Sequence, residues 1–189
     1  MPKNKILKTG IEGVHSTSRG PYICTYTGGK FYPLDVRKSD IKIEDVAHAL
    51  SNMCRFGGHS ALFYSVAQHS VLVSRELPDG MKLQGLLHDA SEAYLVDIPR
   101  PIKKLADFTE YRRIERNTQK AIYKKFKVPD RDSELLHRVD NLILATEAYY
   151  LMDDPVWARK LPKLATIISP WHPAKAEVMF LEEFERLKK

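Results

Sequence analysis

Three stretches of the chain carry imidazoles and carboxylates at spacings that could do chemistry. His88 and Asp89 are adjacent, and Glu92 follows His88 by about one helical turn. At about 100° per residue, Leu83, Leu86, Leu87, Ala90 and Tyr94 form an apolar stripe. His88, Asp89 and Glu92 then share the opposite face, as the charges of an ordinary solvated helix would. Gly85, one turn below them, leaves space that a ligand could enter. His69 lies on the side of Leu62, Val66 and Val73. A histidine there is either a satisfied core residue or a ligand. It needs a partner for each ring nitrogen, and a metal plus an acceptor supplies both. Asp140 lies at the edge of a stripe of Leu136, Val139, Ile143 and Leu144. A carboxylate so placed needs a cation, either a metal or a neighbour such as Arg138. Glu147, on the same face, reads as a surface charge rather than a group supporting a site, and His48 reads as structural.

Two histidines and two aspartates make a mixed nitrogen and oxygen donor set without thiolate. Such a set suits Mn²⁺, Co²⁺, Fe²⁺, Zn²⁺ or Mg²⁺ and does not choose among them. Cys24 and Cys54, the only cysteines, form neither a disulfide framework nor a zinc knuckle. With its charge balanced by two carboxylates, a divalent ion can lower the pKa of a bound water from about 15.7 toward roughly 7. Glu92 is close enough in sequence to handle the proton released.

The elements that must position these groups are helices. A length of 189 residues suits one domain with one core. Caps, apolar periodicity and Pro or Gly stops predict helices over residues 41–55, 60–77, 81–95, 107–127 and 131–152, with a last helix after Pro173. Residues 22–34 carry two β-prone runs around Gly28 and Gly29, a hairpin signal and the only β structure expected. The first 20 residues read as an arm. The fold class is therefore all-α with a small N-terminal β-hairpin: 1–40 as arm and hairpin, 41–189 as the helical domain. No apolar run approaches the roughly 18 residues that span a bilayer, and no secretory signal is evident, so a cytoplasmic protein is expected. The net charge of +6 favours an anionic partner without naming it.

The order His69, then His88 and Asp89, then Asp140 resembles the HD-domain metal-dependent phosphohydrolase superfamily. Residues 55–69, Arg-Phe-Gly-Gly-His-Ser-Ala-Leu-Phe-Tyr-Ser-Val-Ala-Gln-His, look like the first ligand segment of its nucleotidase branch. Residues 86–103, Leu-Leu-His-Asp-Ala-Ser-Glu-Ala-Tyr-Leu-Val-Asp-Ile-Pro-Arg-Pro-Ile-Lys, are similar to its central segment. That branch includes bacterial 5′-deoxynucleotidases and phage dATP triphosphohydrolases. The resemblance covers about 31–151 and 173–187. It implies that His69, His88, Asp89 and Asp140 hold a divalent metal ion, that Glu92 is the general base or acid, and that Arg55 and Lys103 contact phosphate. Asp97 matches a carboxylate in or near the site. Phe56 either stacks on a base or is a core aromatic, and His59 and Arg100 receive no role. The expected substrate is a deoxynucleotide, most readily a 5′-monophosphate. A triphosphate cleaved to tripolyphosphate is the alternative, with Lys103, Lys104, Arg112 and Arg113 as candidates for a longer phosphate chain. Relatives of this kind are often homo-oligomers, and a homo-oligomer is expected here. A non-catalytic nucleic-acid binder, drawing on the basic charge, is the reading from another class; the enzyme reading predicts no stable nucleic-acid complex.

Overall fold

The computed structural model describes residues 16–130 and 133–188. Most of the expected arm, residues 1–15, and the expected start of the fifth helix at 131 lie outside them. The described chain is mostly helical, with small antiparallel β pairs near its N-terminus. The expected hairpin pairs β3 (Ile23–Cys24) with β4 (Lys30–Phe31) around Gly28, whose φ of 76° suits glycine. A second pair, β1 (Ser16–Thr17) with β2 (Gly20–Pro21), was not expected and lies where the sequence suggested only an arm. Arg19 ties it down, bonding to Asp35 and Asp40 with its guanidinium 3.9 Å from the Tyr32 ring centre.

The α-helices are α1 (Ile43–Asn52), α2 (Val66–Glu76), α3 (Lys82–Leu86), α4 (Glu92–Leu95), α5 (Arg100–Lys103), α6 (Thr109–Phe126), α7 (Glu134–Leu151) and α8 (Pro173–Leu187). α2 is the central one and packs against α1, α3, α7 and α8. Its start is fixed by Ser65, whose hydroxyl accepts from the Gln68 amide at 3.1 Å. It therefore begins later than expected, and Leu62 is an exposed loop residue rather than part of its apolar face. Ser133 caps α7 in the same way, and Pro173 opens α8. The main core joins Leu50, Val66, Val71, Leu86, Leu87, Ile122 and Phe180, with Phe31 of the hairpin stacked on Tyr94. A second cluster of Val73, Leu77, Val139 and Ile143 fastens α7 to α2. Among the described residues, no helix is long and apolar enough to cross a membrane.

The helix expected over 81–95 is broken. α3 ends at Leu86, α4 starts at Glu92, and the intervening turn runs on three-residue bonds such as Ala90 N–H to Leu87 O and Glu92 N–H to Asp89 O. The side chain of Gln119, on α6, sits in the gap: Ser91 N–H donates to its Oε1 at 3.0 Å, and its Nε2 donates to Leu87 O at 2.7 Å. Gly85 does not open space for a ligand. A Cβ there would clash with the Leu77 side chain and lie 3.2 Å from Ser74 Cα, so the glycine serves the close approach of α3 to the last turns of α2.

Candidate metal centre

His69 projects from α2, His88 and Asp89 from the turn between α3 and α4, and Asp140 from α7. Their polar atoms converge. The Nε2 atoms of the two histidines are 3.3 Å apart. Asp140 Oδ1 lies 3.2 Å from His69 Nε2 and 3.9 Å from His88 Nε2. Asp89 Oδ2 lies 3.2 Å from His88 Nε2 and 3.7 Å from His69 Nε2. His69, His88 and Asp140 form a group whose donor atoms all fall within 4.8 Å of one another, and this group could hold a metal ion. Asp89 stands beside both imidazoles.

The ring hydrogen bonds fit a cation. His69 Nδ1 is 2.7 Å from Glu147 Oε1, and His88 Nδ1 is 2.7 Å from Gly85 O. An ionised carboxylate and a carbonyl can only accept, so each Nδ1 carries the proton. In neutral rings, both Nε2 lone pairs then face each other across 3.3 Å, an arrangement that only a positive charge between them relieves. The charges agree. Burial raises the pKa of Asp89, but its neighbours His88, His69 and Arg55 outweigh it and hold the carboxyl well below its usual range. Burial likewise opposes ionisation of Asp140, yet the hydrogen bond and charge of His69 draw its pKa down to about 2. Glu147 is lowered too, Arg55 and His69 prevailing over burial. Burial and Arg55 depress His69, but Glu147 and Asp140 prevail and raise it to about 9. A proton on His69 thus takes the place a cation would fill. Three carboxylates against Arg55 leave two negative charges when both imidazoles are neutral, the balance a divalent ion would neutralise.

Glu147 corrects the sequence reading. It is not a surface charge: it is fully buried, and its carboxylate takes the Arg55 Nε–H at 3.1 Å, the Tyr64 hydroxyl at 2.8 Å and the His69 Nδ1–H at 2.7 Å. It was legible in one respect, being the lone charged residue between Asn141 and Met152. Its partner Tyr64 and the amide of Gln119 were not expected. Asp140 pairs with the histidines and, at 3.5 Å, with Arg100, rather than with Arg138.

A cleft of about 1200 Å³ opens over the centre. Arg55 forms part of its wall with Nη1 3.7 Å from Asp89. Glu92, Asp97, Phe56, Arg100 and Lys103 line the same cleft. Glu92 is 8% exposed, and its Oε2 has no partner among the described residues. Burial, then the charges of Asp89 and Asp97, push its pKa well above the carboxylate range. Phe56 belongs to the cleft wall rather than the core, half-buried with φ at 56°. Lys103 is half-buried, its ammonium 2.7 Å from Glu115 of α6. His59 is exposed and outside the cleft lining. His48 is structural as expected, stacked on Tyr26 and 3.1 Å from Glu177.

No family model matches the chain. One relative, Uncharacterized protein RCAP_rcc00048 of Rhodobacter capsulatus, is 40% identical over 86 residues, 41% of this chain and 44% of that protein. Another, Uncharacterized protein YfdR of Escherichia coli, is 39% identical over 171 residues, which are 88% of this chain and 95% of that one. A match of that identity, running almost from end to end of both proteins, means that the chain belongs to the YfdR family.

Proposed function

We propose that the chain is a metal-dependent phosphohydrolase of the HD type, acting on deoxynucleotides and most readily on deoxynucleoside 5′-monophosphates. The observation that carries the reading is the convergence of the His69 and His88 Nε2 atoms with the Asp89 and Asp140 carboxylates, beside a cleft that also presents Arg55 and Lys103. A divalent cation held by His69, His88, Asp89 and Asp140 would acidify the attacking water and draw charge from the phosphoryl oxygens.

The protein's own groups do the rest. Arg55, held by Glu147 through Nε, turns Nη1 towards the centre and offers its donors to a phosphoryl oxygen. Glu92 handles the proton of the attacking water or of the leaving oxygen, through the carboxyl oxygen that has no partner among the described residues. Lys103 takes a phosphate oxygen in exchange for Glu115. Phe56 offers the nucleobase a ring face. Two cations suggested for a longer phosphate chain are engaged elsewhere: Arg112 on the carbonyls of Lys103 and Leu105, Arg113 on Glu110. That supports the shorter substrate over a triphosphate.

Metal-stripped protein re-supplied in turn with Mn²⁺, Co²⁺, Zn²⁺ and Mg²⁺, then offered nucleoside mono- and triphosphates, tests the reading. Nucleoside and free phosphate are expected. Tripolyphosphate would replace the monophosphate reading with its alternative. A loaded protein that hydrolyses none of them, yet binds DNA or RNA with steep salt dependence, would turn the reading to nucleic-acid binding.

A further inference from the structure

We infer that Gln119 is a positioning residue of the metal centre: its side-chain amide, inserted between Leu87 and Ser91, holds open the turn from which His88 and Asp89 reach one point. The inference rests on the metal reading above and adds to it a residue outside the donor set.

Adjacent residues of a regular α-helix project about 100° apart. His88 and Asp89 do not diverge in that way. Asp89 Oδ2 lies 3.2 Å from His88 Nε2, and the two atoms approach His69 Nε2 to 3.7 and 3.3 Å respectively. Such convergence calls for a local departure from helix, and the departure spans these residues. In a continuous helix Ser91 N–H would donate to Leu87 O. Both ends of that bond turn instead to Gln119, the N–H to Oε1 and the carbonyl to Nε2. A side chain spliced into the ladder is a recognised cause of a sharp break. The orientation of the amide is settled by its partners, since an N–H only donates and a carbonyl only accepts.

The splint has a rigid base. Gln119 stands on α6 between the fully buried Thr118 and Ile122. The side-chain hydrogen bonds of Gln119 reach backbone atoms on either side of the ligand pair, and among the described residues none reaches the side chains of His88 or Asp89. Gln119 therefore acts through the path of the main chain. Without it, the Leu87–Ser91 bond can re-form and carry the two ligands toward the separate directions of a helix.

Two variants test this. Gln119→Met keeps the length of the side chain and removes both hydrogen bonds; Gln119→Asn keeps the amide but shortens its reach. Thr118→Ala, which removes the neighbouring buried hydroxyl without a partner among the described residues, controls for substitution in α6 as such. Mn²⁺ affinity by calorimetry, the visible spectrum of the Co²⁺ form and the Tm of metal-free protein are read for each. Both Gln119 variants are expected to bind Mn²⁺ roughly 10- to 100-fold more weakly, the range seen when groups that orient metal ligands are removed. The Co²⁺ bands should change shape in both, and Thr118→Ala should leave affinity and bands as in wild type. If Gln119→Met does not fold, Gln119→Asn decides. A folded Gln119 variant with wild-type Mn²⁺ affinity and Co²⁺ spectrum overturns the inference alone. A wild-type protein that takes up no divalent cation overturns the metal reading and this inference with it.

Discussion

Glu147 joins the two halves of the site, since one carboxylate holds both the imidazole of His69 and the guanidinium of Arg55. Glu147→Gln preserves the shape and removes the charge. The Arg55 guanidinium then loses a buried counter-ion, and His69 loses the anionic acceptor that fixes its proton on Nδ1. Breaking one side of a buried ion pair costs roughly 3 kcal/mol or more. At about 2–4 °C per kcal/mol for a chain of this size, Tm should fall by roughly 6–12 °C, and Mn²⁺ affinity by roughly 10- to 100-fold. A variant that melts and binds like wild type would show the network to be incidental. The donors themselves should behave differently from the proton carrier. Asp89→Ala is expected to lose the metal and nearly all turnover. Glu92→Ala is expected to keep the metal while turnover drops roughly 10²- to 10⁴-fold; poor metal binding by Glu92→Ala would make it a ligand instead. His69, His88, Asp89 and Asp140 were legible as a set through the resemblance of residues 55–69 and 86–103, since spacing alone left each of them an ordinary core or surface reading. Glu147 was misread because its position along α7 gives its distance from Asp140 but not what lies opposite, and its partners sit 78, 83 and 92 residues away in sequence.

Among the elements, the helices of residues 109–126 and 134–151 were legible nearly to their ends, because caps and breakers act locally. The break in the segment 81–95 was not. Its apolar stripe continues through the turn, with Leu86, Leu87, Ala90 and Tyr94 all buried, so periodicity alone reads straight across. The interruption comes from α6, 28 and 32 residues further on. The exit of α4 is under a related constraint. Val96 is an exposed β-branched residue with φ at 67° and ψ at 152°, a conformation that ordinarily belongs to glycine. Its amide is held by Glu92 O at 2.9 Å and its carbonyl by the Tyr111 hydroxyl at 2.8 Å. Such a backbone costs about 1–3 kcal/mol, against roughly 0.5–1 kcal/mol for the extra freedom of an unfolded glycine. Val96→Gly should therefore raise stability by about 1 kcal/mol and Tm by a few degrees. A variant that melts at or below wild type would show that the bend carries no strain.

For the molecule as a whole, the net charge of +6 and the charge of the site have opposite signs. Without a cation, Asp89, Asp140 and Glu147 outnumber Arg55 in one buried cluster, so a phosphate would meet repulsion where hydrolysis is proposed. A divalent ion held there would cancel that excess. It also links three parts of the chain, α2, the turn after α3 and α7, whose mutual packing otherwise rests on the core beneath them. A ligand that binds the folded chain alone stabilises it by about 2.7 kcal/mol at 100 times its Kd. At about 2–4 °C per kcal/mol, saturating Mn²⁺ should raise the Tm of chelator-treated protein by roughly 5–11 °C. A deoxynucleoside monophosphate should then add a further shift only when the ion is present, with Glu92→Ala used so that turnover does not consume it. A nucleotide shift of equal size with and without Mn²⁺ would place the phosphate on the basic surface, away from the histidines. A Tm indifferent to chelator and ion alike would mean that the facing imidazoles are bridged by the proton on His69 and by nothing else.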